Sequence, residues 1–373
     1  MEVNILDDRS EVMKIDKGNY LLSLENFPNM IRDTISLFEE YSFPKEYHNF
    51  NKIIFAGMGG SAIGGEIIRD ILLDKLSIPI IIHKDYWLPN FVNKDDLVFI
   101  ISYSGDTEET LSSFINAYNK KSKIIIITSD GLLLKLAQNL KIPLLEIPKG
   151  FQPRAALPYL FSSILLSLNN LGIKYFSIND LLKASYLIDK LKKEINIDSP
   201  LSKNIAKKIA KGIFNSFPVI YSSIHLKSVA YRFKTQLNEV SKNFCRVEYF
   251  PELCHNEVVA WMKKNKLENS SIILFRSNFE PPYITEKISY LIEEVKNIGI
   301  NNFHEIKARG NNYIEEVLSS IYIGDFISFY LAIINKIDPS LIDIIYRFKE
   351  KSKFKEEINK IVSILLASSN TLE

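Results

Sequence analysis

Cysteine is almost absent from the chain: two residues, Cys245 and Cys254, in 373. Two are too few for a disulfide framework and lack zinc-ligand spacing, so reduced thiols in a packed region are expected and no structural metal. Net charge is nearly absent too, since 46 basic residues face 44 acidic ones and leave +2. So weak a field gives no general pull toward nucleic acid or a membrane surface, and the expected partners are small molecules. The opening residues Met1 to Asp8 show no basic region followed by an apolar core, and no run of about 20 clean apolar residues offers a membrane span. The expected location is the cytoplasm. Leu157 to Leu171 is apolar but interrupted by Pro158, Ser162 and Ser163, which reads as a core helix.

Two loops stand out against this background. The first, Gly57-Met58-Gly59-Gly60-Ser61-Ala62-Ile63-Gly64-Gly65-Glu66, follows the apolar run Lys52 to Ala56; the second, Ser102-Tyr103-Ser104-Gly105-Asp106-Thr107, follows Leu97 to Ile101. Each leaves a strand and opens a helix. A phosphate monoester accepts hydrogen bonds only, and free N–H groups at a helix start supply donors. Ser102, Ser104 and Thr107 add hydroxyls, and Gly105 permits a turn that aims successive amides inward. The plainer reading is an ordinary Ser/Thr helix cap with Asp106, Glu108 and Glu109 placed for the helix dipole, and those carboxylates repel a phosphate unless they point away.

The glycine loop also satisfies a dinucleotide fingerprint, with Asp85 after the run Ile80 to Ile82. Against that, Asp85 falls later than the usual ~20 residues, and the hydroxyl loop has no role in such a site. No Gly-Lys-Ser/Thr follows the glycines, which excludes a nucleoside triphosphate loop.

At 373 residues the chain is long enough for two domains. Strand-like runs at Ile53–Ala56, Ile78–His83, Leu97–Ser102 and Lys123–Thr128 alternate with helix-length segments, the pattern of a doubly wound parallel sheet with helices on both faces. Ligands then gather at the strand C-termini. A similar order returns after Asn196 to Pro200, with strands at Phe217–Tyr221, Cys245–Phe250 and Ser270–Phe275. The fold expected is α/β, two doubly wound, flavodoxin-like, three-layer domains related by a degenerate repeat. Residues 1–190 form the first, with a helical N-terminal extension, and residues 200–373 the second, with terminal helices.

The second half gathers candidate acid–base groups: Glu239 at a helix end, then Glu252, His255 and Glu257 after a short strand. A carboxylate beside C1 and C2 of a sugar can carry a proton between them, and a histidine titrates where ring opening needs it. Any of these carboxylates, or any of the five histidines, can equally be structural. Arg154, in the turn before a helix, is a fixed cation suited to an enediolate oxygen or to a neighbouring carboxylate. Lys349 reads as part of a charged terminal helix.

Together, Gly57–Glu66, Ser102–Leu111, Pro153-Arg154, Gln236–Glu239, Pro251–Glu257 and Asp338 through Lys349 resemble the archaeal and bacterial bifunctional phosphoglucose/phosphomannose isomerases, built from two sugar isomerase (SIS) domains. The resemblance covers nearly the whole chain. It implies that Gly59, Gly60, Ser61, Ser102, Ser104 and Thr107 hold the substrate phosphate and that Arg154 stabilises the enediolate. It further implies that Glu239 shuttles the proton, that His255, donated by the neighbouring subunit of a homodimer, opens the ring, and that Lys349 assists. No cofactor and no metal are implied, and the setting is carbohydrate metabolism, glycolysis and gluconeogenesis. One departure is Val240, where the family tends to have Asn; Ser241 and Lys242 keep the rest of that motif. Asp338–Ser340 lies where the family sets its tolerance for the mannose epimer. The alternatives are a noncatalytic sugar-phosphate sensor, an isomerase of another sugar phosphate, an amidotransferase and a dehydrogenase. The amidotransferase needs an N-terminal cysteine, and no cysteine precedes residue 245.

Overall fold

Runs of Ile, Val and Phe without polar alternation build the first sheet: β1 (Ile53–Gly57), β2 (Ile80–His83), β3 (Leu97–Ser102), β4 (Lys123–Thr128) and β5 (Leu144–Glu146). The structure is a computed structural model and describes residues 5–261, 269–300 and 302–369; Met1 to Asn4 of the opening segment and the last residues of the expected second domain lie outside them. β1 and β3 are buried at every position, as a parallel sheet covered on both faces requires. All pairings are parallel, in the order β2-β1-β3-β4-β5. The chain steps from β1 outward to β2 and then returns to lay β3 on the other side of β1. Connections leaving in opposite directions open a crevice beyond the carboxyl ends of those two strands.

One face of this sheet carries the helices Gly60–Leu72 and Leu157–Asn170, packed on each other where Gly64 admits the Phe161 backbone at 3.5 Å from the position a Cβ would take. On the other face, Ile54, Ile100 and Ile126 share a core with Phe114, Leu133 and Leu136 and with Ile358 and Val362 of the last helix, Phe354–Ser369.

The second sheet has β6 (Phe217–Ser222), β7 (Arg246–Tyr249), β8 (Ser270–Arg276) and β9 (Phe303–Lys307), all parallel, in the order β7-β6-β8-β9. That winding repeats the first four strands of the other sheet, so the expected repeat is present in the topology. β5 and β9 escaped the sequence reading: β5 is three residues long, and β9 interleaves His304, Glu305 and Lys307 with its apolar residues. The helix Tyr313–Ile334 was passed over as well. By length and composition it could cross a bilayer, contrary to the expectation of no such run, yet 94% of its apolar window is buried, where it packs against the helices Ile205–Ile213 and Lys227–Glu239.

The chain divides into two compact units that are not contiguous in sequence: Asn29–Leu181 with Ile342–Glu373, and Met1–Pro28 with Leu182–Leu341. A single boundary near residue 190 therefore separates the sheets, but the chain crosses it at both ends. In the second of these units the early segment is fixed by Lys207, buried, whose ammonium donates to Asp7 at 3.0 Å and to the Ile197 carbonyl at 2.7 Å, and by Phe27 set edge-on against Tyr322.

Candidate active site

The first switch point collects the phosphate-binding residues expected from sequence. Gly59 stands at φ +52° and ψ −124°, a backbone that favours glycine, just before the helix Gly60–Leu72. A Cβ on Gly60 would lie 3.0 Å from Arg154 Cα and 3.1 Å from the Pro153 carbonyl, so glycine lets the Arg154 turn rest on the helix start. Arg154 is 3% exposed, held beside the glycine loop. Ser61, also buried, accepts through Oγ from the Tyr103 amide at 3.1 Å and links the two loops. In the second loop, Ser102 Oγ donates to Thr107 Oγ1 at 3.1 Å and accepts from the Gly105 amide at 3.2 Å. Ser104 Oγ accepts from the Asp106 amide at 3.4 Å. The helices Gly60–Leu72 and Glu108–Asn119 both begin at this crevice, which adds two positive dipole ends.

Two of the three nearby carboxylates are committed elsewhere. Asp106 accepts from the Leu132 amide at 2.9 Å, across the turn at Gly131. Glu108 accepts from the Tyr86 hydroxyl at 2.7 Å and from Ser352 Oγ at 2.5 Å, and the first of these bonds pushes the Tyr86 phenol well above its ordinary pKa. Ser352 precedes the last helix, whose Phe354 sets its ring edge-on to Tyr86 at 5.2 Å. That latch brings Lys349 to the hydroxyl loop: a cavity of about 240 Å³ is lined by Tyr86, Thr107, Glu108, Phe348, Lys349 and Lys355. Tyr86, Ser352 and Lys355 were missed in the sequence, where the last two stand more than two hundred positions from the loop they meet, and Glu108 was read there only as an acid suited to the helix dipole. Glu108→Ala is expected to lower kcat/KM through Lys349. The double variant with Lys349→Ala should then be no worse than Lys349→Ala alone, a coupling of about 0.5–3 kcal/mol read from steady-state kinetics.

Gly105 offers a second test. Its φ is +71°, and a Cβ there would stand 1.7 Å from the Asp130 carbonyl oxygen, whereas a Cβ on Gly59 would meet nothing within 4 Å. Gly59→Ala should cost only the strain of a positive-φ backbone at ψ −124°, about 1–3 kcal/mol. Gly105→Ala must displace the hydroxyl loop, and a KM for sugar phosphate raised at least about tenfold, ~1.4 kcal/mol, is expected against a much smaller change in Gly59→Ala.

The acid–base candidates lie in the unit of the second sheet. Glu239 is the last residue of the helix Lys227–Glu239, half-buried. That helix is anchored from within: Arg232 donates to Asp325 at 2.6 Å, and Gln236 donates to Asp325 at 3.0 Å and to the Tyr20 hydroxyl at 2.9 Å, all buried. Beyond Glu239 the chain is tied down by Ser241 Oγ to the Leu237 carbonyl at 2.9 Å and by Asn238 to the Asn243 carbonyl at 2.7 Å. His255 ends a short turn and is exposed. Of its neighbours, Glu252 is exposed and accepts from Asn256, while Glu257 is buried, accepts from the Tyr221 hydroxyl at 3.1 Å and pairs with Arg246 at 2.7 Å. Burial raises the Glu257 pKa, yet those partners give it a structural task. Among the described residues no three His, Cys, Asp or Glu side chains group as metal ligands.

The chain matches the SIS domain model over residues 46–137 and the model of the bacterial phospho-glucose isomerase C-terminal SIS domain over residues 202–351. A bifunctional phosphoglucose/phosphomannose isomerase of Caldicellulosiruptor bescii is 33% identical over 333 residues, 88% of this chain and 97% of that protein. The chain belongs to the bifunctional phosphoglucose/phosphomannose isomerase family. A D-glucosamine-6-phosphate 4-epimerase of Sulfolobus acidocaldarius is also related, 30% identical over 284 residues, 71% of this chain and 88% of that protein. A solved glucose-6-phosphate isomerase like protein of Thermus thermophilus shares the fold, with a TM-score of 0.60 at 16% identity over 90% of this chain and 98% of that one. In this member of the isomerase family Val240 is wholly buried, so its difference from the usual Asn falls on the packed side of the helix end. Asp338–Ser340 forms a turn in which Asp338 accepts from the Ser340 amide at 2.9 Å, and Ser340 packs on Gly18.

Proposed function

We propose that this isomerase interconverts glucose 6-phosphate and mannose 6-phosphate with fructose 6-phosphate without a metal. The observation that carries the reading is the crevice at the first switch point, where two helix starts meet and the hydroxyls of Ser61, Ser102, Ser104 and Thr107 stand on two linked loops beside a buried arginine. The phosphate is anchored there. His255 and Lys349 move the protons that open the ring, Glu239 takes the C2 proton and returns it to C1, and Arg154 faces the enediolate oxygen. For the reverse direction the same carboxylate takes the proton from C1. Abstracting a proton beside a carbonyl leaves negative charge on oxygen, and a fixed cation stabilises that charge more in the transition state than in the ground state.

A homodimer in the cytoplasm completes the reading. The exposed His255 sits next to an open apolar groove of about 780 Å³, lined by Cys254, Val258, Trp261, Tyr283, Tyr290 and Leu291. Tyr283 and Tyr290, which line it, are each more than 60% exposed, which suits cover by a second copy that receives His255. Sedimentation should find a dimer, and a monomer with full activity would remove this part.

The activity is tested by incubating the purified protein with fructose 6-phosphate and EDTA and following products by NMR. Glucose 6-phosphate and mannose 6-phosphate together are expected. Glucose 6-phosphate alone narrows the specificity, and neither product with substrate bound favours a sensor. The epimerase relative motivates glucosamine 6-phosphate as a second substrate in the same assay; its turnover in place of fructose 6-phosphate would overturn the assignment.

A further inference from the structure

We infer that the switch point of the second sheet is an anion pocket filled by the chain's own Glu316 carboxylate, which leaves it closed to sugar phosphate. β6 and β8 hold in their sheet the places that β1 and β3 hold in theirs, so the residues after them frame the corresponding crevice. After β6 come Ser223 and the turn Ile224–Leu226, which carries His225; after β8 come Ser277 and Asn278. These groups converge on one carboxylate. Glu316 Oε2 accepts from Ser277 Oγ at 2.6 Å and lies 2.9 Å from His225 Nε2, while Oε1 accepts from the Asn278 amide at 2.7 Å.

A hydroxyl, a backbone amide and an imidazole N–H are donors that suit a phosphate, and the first two types recur from the equivalent positions of the first sheet. The pocket is sealed: Glu316 is 0% exposed, His225 is 3% exposed, and the Tyr313 ring stacks on His225 at 4.0 Å. Its surroundings hold more polar groups than the carboxylate uses. Among the described residues, the buried hydroxyls of Ser222 and Ser223 and the Nδ1 of His225 have no hydrogen-bond partner. The helix after the last strand of each sheet explains the asymmetry. In the second unit that helix, Tyr313–Ile334, carries Glu315 and Glu316 in its first turn; in the first unit it is Leu157–Asn170, with no acid in its first turn. One repeat thus supplies its own anion, and the other leaves the crevice for a ligand.

Equilibrium dialysis of the full chain against inorganic phosphate tests this. Glu316→Ala should bind one phosphate per chain more than the wild type, whether or not the first crevice holds free phosphate, and Glu316→Gln, whose amide still fills the space, should bind no more than the wild type. Phosphate should also raise the melting temperature of Glu316→Ala further than that of a comparably weakened control, Ile327→Val, because a second occupied site adds its own linkage term. Equal stoichiometry in folded Glu316→Ala and wild type overturns the inference. So does a Glu316→Ala chain that fails to fold in phosphate and in chloride alike, since a pocket of this kind emptied of its carboxylate must accept a soluble anion.

Discussion

Glu239→Gln should lower kcat by about 10²–10⁴-fold, the usual contribution of a positioned general base, with KM little changed. The amide keeps the shape of the side chain but cannot take a proton. Stability should hold or rise slightly, because a negative charge at the C-terminal end of a helix opposes its dipole, and Glu239 closes the helix Lys227–Glu239. The sharper readout is solvent exchange: in deuterium oxide the wild type should carry label into C2 and C1 of the hexose phosphates, and Glu239→Gln should not. Turnover within threefold of wild type in that variant, with labelling intact, would remove Glu239 as the base and leave Glu252 as the next candidate, since Glu257 is held by Tyr221 and Arg246.

The second large effect concerns stability. Asp325→Ala should cost about 3–5 kcal/mol, because it strands the Arg232 guanidinium, 2% exposed, without its carboxylate in the core of the second unit. At about 2–4 °C per kcal/mol for a domain of this size, thermal unfolding of that unit should fall by roughly 6–20 °C. Replacing the whole pair by Asp325→Leu with Arg232→Met should recover most of the loss, since an apolar pair avoids the desolvation of two charges. Gln236 loses an acceptor in Asp325→Ala and stands one turn before Glu239, so kcat should drop at temperatures where the variant is still folded. A variant that unfolds like the wild type would show that the ion pair is replaceable by water.

The glycine and hydroxyl loops were legible because each lies at a junction of two periodicities, an all-apolar strand and a helix, with glycines where only glycine fits. The strands β1, β2, β3, β4, β6 and β8 were legible as short apolar runs, while β9 was hidden by its charged residues. Lys349 could not be chosen from its neighbours, since Arg347, Glu350 and Lys351 look like any solvated helix. Its place is decided by Ile358 and Val362 entering the first core and by the Glu108 latch, both set by packing rather than by local pattern. Glu316 was hidden because the helix that carries it, Tyr313–Ile334, was itself passed over in the sequence.

The division of the chain into interleaved units bears on the order in which the protein can fold as it is made. The first unit lacks part of its hydrophobic core until Ile358 and Val362 emerge, and the whole of Leu182–Leu341 is synthesised before them. At roughly 5–20 residues per second, the part of that core which the last helix covers stays open for on the order of ten seconds or more. The early segment that ends at Pro28 waits similarly for its partners in the second unit. Long-range closure of this kind is slow and leaves apolar surface open to other chains meanwhile. The nascent protein therefore has a prolonged window in which a chaperone, or a neighbouring chain, competes for the surface that the last helix will cover.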